Sequence, residues 1–128
     1  MENSVVIKNK KKIKARKKGN NYELYVVNLF KEIGFTNCST SRFSSKELDN
    51  LKVDIYGLPF NVQCKAVEKL SPGYHEILTS MPNKEGVFNF VFHKRSRKGT
   101  VVSMTENDFV EIIKLMLKHG IISNKCYT

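Results

Sequence analysis

Apolar side chains recur at helical spacing from residue 22 onward. Tyr22, Tyr25, Val26, Leu29, Phe30 and Ile33 stand three or four apart, which is the signature of one buried helix face. Gly19-Asn20-Asn21 precedes them with a chain break and an Asn N-cap, and Gly34 supplies a C-terminal stop. A helix is predicted over about 21–33. Residues 35–50 are rich in Ser, Thr, Asp and Asn and read as a polar stretch, with one short strand near its start. Two strand-like segments follow, Leu51–Tyr56 and Phe60–Val67, joined by Gly57-Leu58-Pro59 as a tight hairpin connection. Ser71-Pro72 resembles an N-cap with proline at the first helical position, and Pro82 closes a helix over about 72–81.

Val87–Phe92 is nearly continuously apolar, as expected for a strand buried on both faces. His93–Gly99 reads as a basic turn and Thr100–Met104 as a further strand. Thr105-Glu106-Asn107-Asp108 then opens a helix with capping spacing. Phe109, Ile112, Ile113 and Met116 carry the helical period on to Gly120 and form either core or part of a dimer surface. The order α-β-β-β-α-β-β-α predicts an α/β fold, a small mixed central β-sheet flanked by helices.

A chain of 128 residues, 41% hydrophobic and 27% charged, suits one soluble globular domain and excludes a disordered chain. No apolar run is long enough for a transmembrane helix, and the basic first 20 residues lack the apolar stretch of a signal peptide. Cys38, Cys64 and Cys126 are odd in number and lack zinc-ligand spacing, so no disulfide framework is indicated. They are expected to be buried or inert, and the setting is expected to be cytoplasmic. His75, His93 and His119 show no ligand spacing either.

Twenty-two Lys and Arg against 12 Asp and Glu give a net charge of +10, which points to an anionic partner. Eight of these cations lie between Lys8 and Lys18, so the chain divides into a basic, flexible arm over 1–18 and a single domain over 19–128. The arm is a phosphate-binding segment on one reading and a solvated tail or localisation signal on another. The expected nucleic-acid contacts are Lys10, Lys11, Lys12, Lys14, Arg16, Lys17 and Lys18 in the arm, Arg42, and Lys94, Arg95, Arg97 and Lys98 at the basic turn.

Along Phe60–Val67, strand alternation sends Asn61, Gln63 and Lys65 one way and Val62, Cys64 and Ala66 the other. A hairpin across Gly57-Leu58-Pro59 brings Asp54 beside Gln63 and Lys65. One carboxylate, one amide oxygen and one ammonium then converge, a set suited to a hard divalent cation and a phosphate. Glu23 shares a helix stripe with Val26, Val27 and Phe30, so it faces the domain and calls for a metal or a lysine beside it. Read separately, each has an ordinary role: a strand end for Asp54, a solvent-facing pair for Gln63 and Lys65, a dipole complement for Glu23.

Lys18-Gly19-x-x-Tyr22-Glu23 opening a helix, Val53-Asp54-Ile55, and Gln63-Cys64-Lys65 nine residues beyond Asp54 together resemble the PD-(D/E)xK nuclease superfamily. Within it, residues 16–115 look most like the archaeal-type Holliday junction resolvases and their phage relatives. His93–Gly99 followed by Val101-Val102 is similar to the penultimate hairpin of those enzymes. The resemblance implies a restriction-endonuclease-like core and Mg²⁺, with Mn²⁺ as a substitute. Asp54, Gln63, the backbone carbonyl of Cys64 and Glu23 would be the metal ligands, and Lys65 would orient water or stabilise charge. It also implies a serine upstream of the aspartate, for which Ser41, Ser44 and Ser45 compete, with Ser44 favoured. Gln63 departs from the family pattern, because a carboxylate usually stands there.

The expected activity is metal-dependent cleavage of branched DNA in recombination and repair, by a homodimer matched to the two-fold symmetry of a junction. Two alternatives stand beside it: a nuclease for linear duplex or flap DNA, and a non-catalytic DNA-binding module with a vestigial nuclease fold, which Gln63 favours.

Overall fold

The computed structural model describes residues 2–126, with side chains described from Asn9 onward. Helix α1 runs from Glu2 to Ile33 and spans about 48 Å at the usual rise per residue. This corrects two expectations, the flexible arm over 1–18 and a helix beginning near residue 21. Lys, Arg and Ala are strong helix formers. Once residues 22–33 are packed, each further turn needs only propagation and not nucleation. Gly19 and two asparagines cost this helix about 2 kcal/mol against alanine and do not stop it.

The polar stretch holds β1 (Ser39–Thr40) and two short helices, α2 (Ser41–Ser44) and α3 (Lys46–Asn50). Ser45 caps α3 by accepting from the amide of Leu48, with Glu47 and Asp49 in the first turn. That local capping, followed by Lys52 at φ 67°, shortens the expected strand over 51–56 to β2 (Ile55–Tyr56).

The expected hairpin between the strand of Asp54 and that of Gln63 is also corrected. β2 pairs antiparallel with β1, whereas β3 (Asn61–Ala66) pairs in parallel with β4 (Asn89–Arg95), which pairs antiparallel with β5 (Gly99–Ser103). Pro59 lacks the N–H that would continue a β2–β3 ladder. Gly57 turns the chain at φ 89°, close against the main chain of Asn37 and Cys38. Helix α4 (Tyr74–Ser80) makes the crossover between β3 and β4. It starts after Gly73, so Pro72, in a cis peptide with Ser71, lies outside the helix that it was expected to open.

The fold is mixed α/β, with a small mixed sheet between helices. Tyr22, Val26, Val27 and Phe30 of α1 pack with Val62, Cys64, Ala66 and Phe92 on one side of β3 and β4. Val53, Ile77, Leu78, Met81 and Val91 form a second cluster under α4. Strand β4 alternates buried and half-buried residues and becomes exposed from Lys94, so it is not covered throughout on both faces. Tyr25 and Ile33, expected in the buried stripe of α1, are exposed. Helix α5 (Glu106–Lys118) is capped by the Thr105 hydroxyl, which accepts from the Asp108 amide, and none of its residues is buried. Among the described residues no helix is long and apolar enough to cross a membrane.

Candidate active site

Asp54 lies where β2 and β3 part. Its backbone amide donates to the carbonyl of Val62 at 2.8 Å, and its Oδ2 accepts from the amide of Cys64 at 2.7 Å. These two bonds bracket Gln63, so the side chain of Asp54 takes the place of a ladder carbonyl. Asp54 thus reaches the edge of β3 beside Gln63 and Lys65 without the expected hairpin.

Burial pushes the Asp54 carboxyl up to about 7. The Cys64 amide and the charge of Lys65 oppose that rise, while the charges of Glu23 and Asp49 add to it. Lys65 and Glu23 therefore lie within electrostatic reach of Asp54. Burial likewise raises the Cys64 thiol well above its usual range, so this cysteine is a protonated, unreactive side chain.

Glu23 is half-buried, and burial raises its pKa against the opposing effect of Arg42. The Arg42 Nε donates to Glu23 Oε2 at 3.0 Å. The cation that the structure sets beside Glu23 is an arginine of α2 where a metal or a lysine was expected, a residue singled out from sequence only for DNA contact. Gln63 is buried, and its Oε1 has no hydrogen-bond partner. An orphaned amide oxygen and a carboxylate destabilised by burial, on segments joined by the Cys64–Asp54 bond, suit a hard cation, which would give the oxygen a partner and restore the charged form of Asp54. Among the described residues no cluster of three His, Cys, Asp or Glu side chains could hold a metal. A cation here would therefore need Gln63 and main-chain oxygen in addition to carboxylate.

The three serines are separated by their partners. Ser44 Oγ lies 2.6 Å from Ser39 Oγ, and Ser45 caps α3. Ser41 is fully buried with an unpartnered hydroxyl, and its amide donates to the carbonyl of Asp54 at 2.8 Å. Ser41 is thus the serine in contact with Asp54, ahead of the expected Ser44.

His93 sits opposite Lys65 in the β3–β4 register. Its Nε2 must carry hydrogen, because it lies 2.6 Å from the carbonyl of Val67, which can only accept. Nδ1 lies 2.7 Å from the Tyr74 hydroxyl. Both ring nitrogens are thus engaged, Nε2 with the chain just beyond β3 and Nδ1 with the start of α4.

The two basic segments meet. Lys18 Nζ donates to Ser96 Oγ at 2.9 Å, joining α1 to the β4–β5 hairpin. Lys14, Lys17, Lys18 and Lys94 line one groove. Arg95 reaches Glu68 at 3.6 Å, and Glu68 also accepts from the Ser96 amide. Arg97 and Lys98 lie exposed at the hairpin tip, and Lys10, Lys11, Lys12 and Arg16 are exposed along α1. The side chain of Lys8 lies outside the described residues.

No protein family, curated protein or solved structure matches the chain.

Proposed function

We propose that this chain is a metal-dependent endodeoxyribonuclease of the PD-(D/E)xK type acting on branched DNA. The observation that carries the proposal is the buried Asp54 carboxyl accepting from the Cys64 amide, next in sequence to Gln63, whose buried Oε1 has no partner. The basic groove where α1 meets the β4–β5 hairpin supports a polyanionic substrate.

Asp54, Gln63 Oε1, the Cys64 carbonyl and Glu23 would hold Mg²⁺ or Mn²⁺. Bound there, the ion supplies Lewis acidity toward the scissile phosphate and lowers the pKa of a water. Lys65 places an ammonium near Asp54, where it orients the attacking water or offsets charge growing on the phosphate. Arg42 orients Glu23 and opposes the upward effect of burial on its pKa. His93 holds the chain just beyond the strand that carries Lys65.

A homodimer fits the same reading. Phe109, Val110, Leu115 and Leu117 of α5 and Val101 and Val102 of β5 are large apolar side chains left exposed. β5 is also an edge strand with an unpaired side. A second copy covering these side chains would pair two sites for two symmetric incisions.

The Glu23–Arg42 pair favours a second reading, a binding module in which an arginine has taken the place of the metal. One experiment tests both. A labelled synthetic four-way junction and its linear duplex are incubated with Mg²⁺, Mn²⁺ or EDTA, using wild type, Asp54→Asn and Lys65→Ala. Paired, metal-dependent nicks in the junction, lost in both variants, are expected. Tight, salt-sensitive binding with no cleavage in either metal establishes the binding module instead.

A further inference from the structure

The exposed half of the Tyr25 ring stands in a groove that the nuclease reading leaves unused. Lys14, Lys18, Asn21 and Tyr25 follow one another along α1 at intervals of four, three and four, so they form a single stripe. Lys17 flanks the stripe, and Lys94 of β4 closes the opposite wall, giving a groove of about 360 Å³. The Tyr25 ring lies nearly parallel to that of Tyr22, with an interplanar angle of 15° and centroids 6.1 Å apart. Tyr22 is 3% exposed and fixed in the core, whereas Tyr25 is 58% exposed. One aromatic ring is thus held flat by a buried neighbour while still open to solvent, with ammonium groups on either side.

Duplex DNA presents phosphates outward and keeps its bases stacked inside, so an aromatic platform gains nothing from it beyond charge. A single strand offers an unpaired base face together with its phosphates, which matches flat aromatic surface interleaved with lysine. We infer that the groove between α1 and the β4–β5 hairpin binds a single-stranded DNA segment, one base stacking on Tyr25 and the adjoining phosphates meeting Lys14, Lys18 and Lys94.

This deepens the branched-DNA reading by naming the unpaired strand as what the chain grips. It rests on that reading only for the substrate being DNA. Branch points and flaps expose such bases, and the linear duplex does not.

The test keeps binding apart from cleavage by using the full chain carrying Asp54→Asn, in EDTA. The chain has 5 tyrosines and no tryptophan, so stacking on Tyr25 is read directly as quenching of tyrosine fluorescence. Affinities for a short oligodeoxythymidylate, an abasic strand of equal length and the matched duplex are measured by anisotropy. With the groove intact, the thymidylate should be favoured over the abasic strand by roughly tenfold, with quenching. Tyr25→Ala should erase that preference and Tyr25→Phe should retain it, while circular dichroism confirms folding in both. Lys14→Ala should weaken all strands alike and lower the salt slope by about one. Equal affinity for the thymidylate and abasic strands, or unchanged preference in Tyr25→Ala, overturns the inference. Either result leaves the nuclease reading to its own cleavage assay.

Discussion

The amide of Cys64 donates a 2.7 Å hydrogen bond to Oδ2 of Asp54, so a side chain completes the strand edge where main chain would ordinarily do so. One bond ties the candidate catalytic carboxyl to the Gln63-Cys64-Lys65 segment and fixes their relative position. It also keeps that carboxyl in a place where burial favours its protonated form.

Asp54→Asn keeps the shape of the side chain and removes its charge. Metal-dependent cleavage of a junction should fall by at least about 10²-fold, the usual loss when a group stabilising the transition state is removed. Lys65→Ala should fall by a similar factor. Single-turnover cleavage measures both, and junction binding in EDTA should be unchanged.

The raised pKa of Asp54 sets the sign of a pH effect. With a folded-state value of about 7 against the ordinary 3.8, the folded chain binds more protons than the unfolded chain between those values. Its contribution to stability is fully present below the unfolded pKa and is lost as pH rises through the folded one. The urea midpoint of metal-free protein should therefore drop more between about pH 4 and pH 8 than that of Asp54→Asn. Mg²⁺ should recover stability at the alkaline end and have little effect at the acid end.

Removing Arg42 leaves the half-buried Glu23 without its donor. Arg42→Ala should cost about 1–2 kcal/mol, moderated by the solvent exposure of the arginine. The Glu23→Gln/Arg42→Ala double variant should recover part of the loss. Urea unfolding of wild type, Arg42→Ala, Glu23→Gln and the double variant closes the cycle.

Gly57 combines a φ of 89° with a tight approach to its neighbours, since a β-carbon at this position would lie only 3.0 Å from the Asn37 carbonyl oxygen and 3.1 Å from the Cys38 α-carbon. Both neighbours are main chain and yield little. Gly57→Ala should destabilise the protein by about 1–3 kcal/mol. Thermal unfolding reads this directly.

A charge on the exposed apolar side chains of α5 or β5 should separate the copies of the proposed homodimer. Phe109→Glu and Val102→Glu fall at residues 52% and 50% exposed, so they leave the fold of one chain intact. Sedimentation should show a dimer for wild type and a monomer for either variant. A monomeric wild type at the same concentration removes the dimer from the reading.

Periodicity and capping were enough to determine much of this molecule. The apolar repeat through Val26 and Phe30, the alternation along Asn61–Ala66 and the cap at Thr105 are local properties, and each element they predict is present. The candidate set Glu23, Asp54, Gln63 and Lys65 was picked out by residue type and spacing, and the structure ties Asp54 to the Gln63-Cys64-Lys65 segment. The tertiary structure alone decided how these pieces meet. Packing of residues 22–33 carries α1 back through the basic run, which like-charge repulsion taken alone would leave unfolded. Strand β3 chooses β4 as its partner, and Asp54 reaches it through a side chain, because Gly57 and Pro59 bar a ladder with β2. Arg42 faces Glu23 across 19 residues, and Tyr25 turns outward from a stripe that its spacing assigns to the core. Long-range pairings of this kind depend on which surfaces exclude water from one another, and no local pattern in the chain encodes that choice.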